Sequence, residues 1–203
     1  QLNISVKFKI IPWGRLKQYM LADKVDCAAA FLHSSEHTEN MFYMKTPITS
    51  GEYTLFIQEH DQNKFSKLSD FYGSTIALNR GFYVPPLLAQ AIAKKKITKY
   101  EVGSVNQSIQ MLSKARVHGV LSDKNVGLYN LQKLKINNII PLEKPLLKTP
   151  VFVVFSKTWH KNGTVERFDH VLENMKRDGT YQKIIDKYLV TNDIQNKLIP
   201  LAN

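Results

Sequence analysis

Apolar residues lie along this chain in short continuous runs, and stretches with helical spacing separate those runs. Such runs are typical of strands buried in a sheet, and they predict strands at 6–11, 27–31, 53–57, 76–78, 99–102, 117–121 and 150–156. The periodic stretches predict helices at 13–21, 104–115 and 123–134, a helical turn near 65–71, and a helix that begins at the prolines 85 and 86. The alternation predicts an α/β fold wound as repeated β-α-β units.

The carboxyl-terminal part of the chain has a different pattern. Apolar residues recur there at helical spacing in two groups, and Gly179 lies between the groups. The first group is Val165, Phe168, Val171, Leu172 and Met175, and the second is Tyr181, Ile184, Ile185 and Tyr188. We predict two amphipathic helices here.

Two segments have the pattern of crossings between lobes. "KTPITSGEYTLF" at 45–56 and "PLLKTPVFVVF" at 145–155 each place Thr-Pro ahead of an extended apolar run. We therefore predict two lobes with mostly parallel sheets: a discontinuous first lobe, 1–47 and 151–203, and an inserted second lobe, 53–146. The hinges are predicted near 48–52 and 147–150. Ligands of such proteins usually bind in a cleft between lobes, at the carboxyl ends of the strands.

The stretch "TIALNRGFYVPP" at 75–86 predicts a strand, a tight turn and a helix entrance. Gly81 permits a positive φ, and Pro85 and Pro86 suit a first helical turn, where amide hydrogens have no intrahelical partner. Free amides, the positive end of the helix dipole and the charge of Arg80 favour a polar or anionic ligand group. An ordinary strand-turn-helix connection is the alternative reading.

Composition narrows the function classes. The net charge is +11, but the lysines are spread from Lys7 to Lys197 and their only run is 94–96 at a helix end, so we predict no nucleic-acid partner. The single cysteine, Cys27, is predicted to be a small buried apolar residue. We predict neither a disulfide, a metal site nor a cofactor, and no apolar run approaches the roughly 18 residues of a membrane span.

An enzyme reading rests on "HSSEH" at 33–37, which spells the inverted zinc-protease signature. That chemistry needs both histidines on one helical face and a third ligand downstream. Here the motif follows a predicted strand and contains two adjacent serines, which favours a polar loop. We predict no catalytic activity and keep a zinc metalloprotease as a remote alternative.

Five segments that together span nearly the whole chain carry a resemblance to a known family: "IIPWGRLKQYMLADKVDCAAA", "TPITSGEYTLF", "LSDFYGSTIALNRGFYVPP", "SVNQSIQMLSKARVHGVLSDKNVGLYNL" and, as the most specific, "MKRDGTYQKIIDKYL". In this order they resemble the family 3 extracellular solute-binding proteins, the periplasmic receptors of amino-acid-type ABC transporters. The resemblance implies a periplasmic-binding-protein-like type II fold and a periplasmic location. It also implies a small amino-acid-like ligand captured between closing lobes and a membrane permease as partner. A sensor or an enzyme-like relative on the same fold is the alternative.

The resemblance also implies site residues. Asp123 matches the family's aspartate for a ligand amino group, although an N-cap role is equally open. Four residues of the turn, Arg80, Gly81, Phe82 and Tyr83, are predicted to line the ligand site. Phe31, at the end of a predicted strand, is predicted to form an apolar wall.

Two departures from the family pattern stand out. The family's first strand and helix have no counterpart here, and if they are absent the first lobe is predicted to expose strand edges and to self-associate. The family's Thr-x-x-Arg stretch is replaced by "HSSEHTEN" at 33–40, which puts His37 or Thr38 in the place of the carboxylate-binding arginine. We predict Ser34 and Thr38 as polar contacts from this stretch, and an ordinary α-amino acid is in doubt as ligand.

Overall fold

The structure is a computed structural model and describes residues 2, 4–33, 39–160 and 163–188. Its described residues form two compact units. Unit 1 comprises the chain up to Ser50 together with Thr149–Tyr188, and unit 2 comprises Gly51–Lys148. Both divisions fall inside the segments predicted as hinges, and the predicted lobe residues 189–203 lie outside the described part. That these segments bend remains a prediction.

Eight strands and six α-helices are described. The strands are β1 (Cys27–Leu32), β2 (Met41–Tyr43), β3 (Thr49–Gln58), β4 (Thr75–Asn79), β5 (Thr98–Val102), β6 (Gly119–Asp123), β7 (Ile139–Pro141) and β8 (Leu147–Ser156). The helices are α1 (Trp13–Leu21), α2 (Pro86–Ala93), α3 (Val105–Ser113), α4 (Lys124–Leu134), α5 (Thr164–Arg177) and α6 (Thr180–Tyr188). Short 3₁₀ turns lie at Glu59–Asp61, Leu68–Phe71 and Lys157–His160.

Unit 2 contains the predicted β-α-β winding. β4 pairs in parallel with β5 and β6, and helices α2 and α3 make the crossovers. β3 adds antiparallel pairs with β6 and β7, so the sheet is mixed. The parallel winding predicted from the sequence is confirmed for these three central strands.

One face of this sheet packs against α3 and α4. Phe56, Ala77 and Val120 are fully buried there, together with apolar residues of both helices. Gly127 of α4 sits directly on the Phe56 ring, because a Cβ at this position would lie 2.2 Å from Phe56 Cζ. Close approach of helix and sheet therefore requires glycine at this point.

Unit 1 is built around β8, which pairs antiparallel with β1 on one side and β2 on the other. Helix α1 covers one face through Met20, Phe31 and Val154, and α5 covers the other through Val165 and Phe168. Its described strand pairs are antiparallel, so parallel pairing here stays a prediction.

Two predictions for unit 1 are wrong. Residues 6–11 form no strand, and Phe8 and Ile10 are 92% and 103% exposed, because no strand in the described residues hydrogen-bonds to this segment. Cys27 is exposed rather than buried. The register of β1 against β8 shifts between Ala28 and Phe31, where Ala30 has a φ of 69°, and this irregularity breaks the inward alternation of the strand.

Helix α5 holds the segment that leads into β3. The buried carboxylate of Asp169 accepts hydrogen bonds from the amides of Lys45 and Thr46, both at 2.8 Å. The hydroxyl of Tyr181, in α6, donates to the carbonyl of Ile48. Unit 1 thus fixes the chain immediately before the division between the units.

None of the helices in the described residues combines the length and the apolar character that crossing a membrane requires.

Candidate functional site

Asp123 lies at the junction between β6 and α4, at the carboxyl edge of the unit 2 sheet. Its Oδ1 accepts hydrogen bonds from the amides of Asn125 (3.0 Å) and Val126 (3.2 Å), which makes it the N-cap of α4. Its Oδ2 accepts a third hydrogen bond from the amide of Glu52, at 3.1 Å. The capping role that the sequence left open is therefore present in the structure.

The Asp123 carboxylate can accept more hydrogen bonds than the amides around it donate. An ionised carboxylate accepts about four hydrogen bonds, and three are made here, so Oδ2 keeps one lone pair for a further donor. Burial raises the pKa of Asp123 above its ordinary value, and the nearby Glu52 carboxylate raises it further, while the three amides oppose the rise. A half-buried, incompletely satisfied negative charge favours a cationic partner.

Three aromatic rings stand beside Asp123. Tyr53 is the residue opposite Asp123 in the β3–β6 pairing, and the side chains of directly opposed residues share one face of a sheet. Its ring centroid lies 5.8 Å from that of Tyr83 and 6.4 Å from that of Phe82. Burial, the Asp123 charge and the Tyr83 hydroxyl raise the pKa of Tyr53 to about 12. Asp123 and Tyr53 are therefore neighbours across the strand pair, and the rings of Phe82 and Tyr83 pack against Tyr53.

The predicted turn is present. The amide of Phe82 donates to the carbonyl of Asn79 at 3.0 Å, and Gly81 has a φ of 77°, as a type II turn requires at its third residue. Arg80 is exposed, and its backbone amide donates to Val102. Pro86 is the first residue of α2, as predicted. Among the predicted site residues, the structure brings Phe82, Tyr83 and Asp123 together around Tyr53.

Glu52 adds a second carboxylate near Asp123. It forms an ion pair with Lys148, with 2.8 Å between Oε1 and Nζ. The hydrogen bond from Lys148 lowers the pKa of Glu52, and the positive charges of Lys148 and Lys124 lower it further. Glu52 is therefore ionised near neutral pH, and a lysine already balances its charge.

Behind this site lies a buried polar layer. Ala77 and Val120 are paired in register on the helix-packed face, and Asn79 and Ser122 follow them by two residues, so they point to the same face. Asn106 precedes Ile109 of the same core by one helical turn. Within the described part of the chain, Asn79 Oδ1, Asn106 Oδ1 and Ser122 Oγ are buried without a hydrogen-bond partner.

The remaining predicted residues belong to unit 1. Phe31 is 4% exposed and packs against Trp13 at a ring distance of 5.2 Å, so it serves the core and leaves little surface for a ligand. Ser34 and Thr38 lie outside the described residues, as do Glu36 and His37 of the zinc-protease hypothesis. His33 is described and stacks near Tyr43 at 4.9 Å.

Among the described residues, no group of three or more His, Cys, Asp and Glu side chains is arranged to hold a metal ion. The zinc-protease alternative therefore gains no support from this part of the chain.

Unit 1 also carries an open groove of about 820 Å³. Its lining is apolar apart from Ser5 and consists of Leu2, Ile4, Ser5, Val6, Met44, Ile48, Val153, Phe168, Val171, Leu172 and Met175. A polar ligand finds no charged partner in this lining. The size of the groove is therefore a poorer guide to the ligand site than the chemistry around Asp123.

Sequence reasoning missed Tyr53 and Glu52. Both were read only as part of a strand and a hinge, because their closeness to Asp123 depends on strand pairing across some seventy positions. The only local signal was a tyrosine and a glutamate next to the predicted crossing.

The model of the bacterial extracellular solute-binding proteins, family 3, matches residues 1–191. The chain therefore belongs to this family, whose members are extracellular substrate-binding proteins. No curated protein sequence matches the chain.

Solved structures show the same α/β, periplasmic-binding-protein-like fold. One is an ancestral arginine-binding protein bound to arginine, with a TM-score of 0.80, 18% identity, and coverage of 92% of this chain and 81% of that one. A second is a substrate-binding protein of an amino acid ABC transporter from Streptococcus pneumoniae, bound to L-arginine. Its TM-score is 0.77 at 13% identity, with coverage of 90% of this chain and 76% of that one. A third is a histidine kinase sensor domain similar to periplasmic binding proteins, with a TM-score of 0.78, 17% identity, and coverage of 93% of this chain and 80% of that one.

Proposed function

We propose that this protein is a non-catalytic binding protein whose unit 2 captures a small ligand through a cationic group. The observation that supports this most directly is the Asp123 carboxylate with an unused lone pair beside three aromatic rings. Ammonium and guanidinium groups are attracted both to a carboxylate and to the faces of aromatic rings. A neutral ligand group would leave the half-buried charge of Asp123 without a countercharge.

Arg80 gives the proposed ligand a second feature. Arg80 is exposed and lies in the same connection between β4 and α2 that contains Phe82 and Tyr83. A ligand with a carboxylate as well as a cation would use both charges, as an amino acid or a related zwitterion does. We infer an amino-acid-like ligand with a basic side chain or amino group.

The biological role that best fits is delivery of this ligand to an ABC transporter, in a periplasmic or extracellular setting. Membership of the solute-binding family and the likeness to amino-acid transporter proteins support it. A sensory role on the same fold is the second candidate, and the likeness to a histidine kinase sensor domain supports that one. Both roles need the same ligand site, so the ligand experiment precedes the choice between them.

The test is a calorimetric and thermal-shift comparison of four probes: L-arginine, L-citrulline, agmatine and succinate. Citrulline has nearly the shape of arginine without its side-chain charge, agmatine has the guanidinium without a carboxylate, and succinate has only negative charge. We expect arginine to bind most tightly and succinate not to bind. A saturating ligand at about one hundred times its Kd raises stability by roughly 2.7 kcal/mol, which is a shift of several degrees in Tm.

Equal affinity for arginine and citrulline would assign the bound cation to the α-ammonium group, which both share, and exclude recognition of a basic side chain. Binding of succinate alone would reverse the proposed charge preference and overturn the proposal.

A further inference from the structure

Unit 2 has two chemically different edges. The entrances of α2, α3 and α4 follow the carboxyl ends of β4, β5 and β6, and the three helices end just before the strands that follow them. Hydrogen bonds join the loops at this second, amino edge: Gly73 N donates to Lys96 O, and His118 N donates to Thr75 O. The helix ends therefore gather on the side of the sheet opposite Asp123.

Positive charge is concentrated at the amino edge. The segments 59–74, 94–97, 114–118 and 133–138 form this edge and hold nine of the fourteen Lys and Arg residues between positions 51 and 148. These nine are Lys64, Lys67, Lys94, Lys95, Lys96, Lys114, Arg116, Lys133 and Lys135. Only three carboxylates, Glu59, Asp61 and Asp70, lie in the same segments. The segments 51–53, 79–86, 101–105, 122–126 and 141–148 form the carboxyl edge, and their charges balance. The four cations are Arg80, Lys124, Lys144 and Lys148, and the four carboxylates are Glu52, Glu101, Asp123 and Glu143.

Seven of these cations come from the three helix ends, and all seven are exposed. They form no ion pair with the carboxylates of the described chain. Their positions complement the negative ends of the helix dipoles, which accounts for a cation or two at each end. Complementing each helix dipole does not explain why the cations of three helix ends lie together on one broad face. This concentration of positive charge indicates an anionic partner.

The face has the character of a surface that meets lipid headgroups. Its cations stand on separate loops, which suits a laterally mobile array of anions better than one compact ligand. Tyr72 is half exposed on this face, and Lys96 Nζ lies 4.6 Å from its ring centroid. Tyrosine, with an apolar ring and a polar tip, is a residue that membrane interfaces favour.

We propose that the amino edge of unit 2 is an electrostatic docking face for a membrane surface rich in anionic lipid. The face lies on the opposite side of the sheet from Asp123 and is independent of the ligand proposal. Membrane attachment here would leave the carboxyl edge of unit 2 directed away from the lipid.

Vesicle co-sedimentation tests this with the purified 203-residue chain. Vesicles of phosphatidylcholine are compared with vesicles in which about one-third of the lipid is phosphatidylglycerol, at low salt and again near 1 M salt, where the Debye length falls to about 3 Å. We expect binding only to the anionic vesicles, and loss of binding at high salt.

Matched variants locate the effect. Lys94→Gln, Lys114→Gln and Lys133→Gln together remove one charge from each helix end and leave the left-handed residues Lys95 and Lys135 in place. The control combines Lys144→Gln, Lys148→Gln and Lys157→Gln, which lowers the net charge equally but outside this face. Since each lysine near such a surface contributes roughly fivefold, the first variant is expected to lose at least about tenfold in partitioning. The control is expected to keep most of its binding.

Three results would overturn the proposal. Absence of binding to anionic vesicles removes it outright. Equal loss in both variants shows that net charge rather than this face is responsible. Binding to soluble polyglutamate without binding to anionic vesicles assigns the face to an acidic protein instead.

Discussion

At the scale of single residues, the carboxylate of Asp123 combines an observed capping role with the ligand-binding role that we propose for it. Its hydrogen bonds to three amides join β3 to the start of α4 and leave one lone pair for the proposed cation. Because burial raises its pKa, the folded protein binds a proton at Asp123 more readily than the unfolded chain does. The ionised form therefore reduces stability as pH rises through the raised pKa, and a cationic ligand compensates for that loss.

Sequence reasoning recognised this aspartate but not its surroundings. A strand followed by Ser-Asp and a helical pattern predicts a cap from local chemistry alone. Ser104, whose Oγ accepts from Gln107 N at the start of α3, is a cap of the same local kind. Tyr53 could not be found this way, since its partner across the sheet is set by strand register.

The buried polar layer gives a prediction of its own, for Ser122→Ala. Buried hydroxyls usually have a hydrogen-bond partner from the protein or from solvent, and we expect the same of Ser122 Oγ in the folded protein. Removing the hydroxyl then costs about 1 to 2 kcal/mol in the free energy of unfolding, measured by denaturant titration.

Ser108→Ala is the control for this change. Ser108 is equally buried, but its hydroxyl donates to Val105 O within α3 at 2.8 Å, so its loss should change stability by less than about 0.5 kcal/mol. If Ser122→Ala stabilises the protein or matches the control, the layer is dry and the oxygens are unpaired.

At the scale of elements, the structure matches the sequence where an element is defined by its own residues. Helix α1 begins and ends where its apolar spacing indicates, and α2 begins at the predicted prolines. Strands β2 and β7 escaped prediction because each has three residues and exists only through pairing with β8 or β3. The strand predicted at 6–11 is absent for the opposite reason. Its residues have a strand pattern, but a strand does not form without a partner to pair with.

Asp169 in helix α5 is predicted to stabilise the fold by holding the segment that leads into β3. Asp169→Asn replaces a buried carboxylate that accepts two amide hydrogen bonds by a group with one acceptor oxygen, which leaves the Lys45 or Thr46 amide facing a donor. We expect a loss of about 1.5 to 3 kcal/mol in the free energy of unfolding.

Glu173→Gln is the matched control, one turn further along the same helix. Glu173 accepts from the exposed Thr46 hydroxyl at 3.1 Å, and its replacement should cost less than about 0.5 kcal/mol. Equal effects of the two substitutions in thermal or denaturant unfolding would show that α5 does not hold the chain before β3 through Asp169.

At the scale of the whole molecule, the chain crosses between its units twice, within β3 and within β8. The repeated Thr-Pro ahead of an apolar run marked both places in the sequence, because this pattern favours an extended chain. The charge distribution was not visible in the same way. Lysines that are spread along the sequence meet at one edge only after three helices bring their ends together.

The central claim is that Asp123 holds the cationic group of a ligand, and calorimetric titration of L-arginine into the wild type and Asp123→Asn tests it most directly. Asparagine caps helices about as well as aspartate, but its amide group would face the Glu52 N–H that Oδ2 accepts, so Tm without ligand is expected to fall modestly. Binding should weaken by about 1.5 to 3 kcal/mol, which is roughly tenfold or more. Asp70→Asn, which alters an aspartate that accepts amides of Ser66 and Lys67 at the other edge, should leave affinity unchanged. Unaltered affinity in Asp123→Asn would contradict this claim and leave Asp123 with its structural role alone.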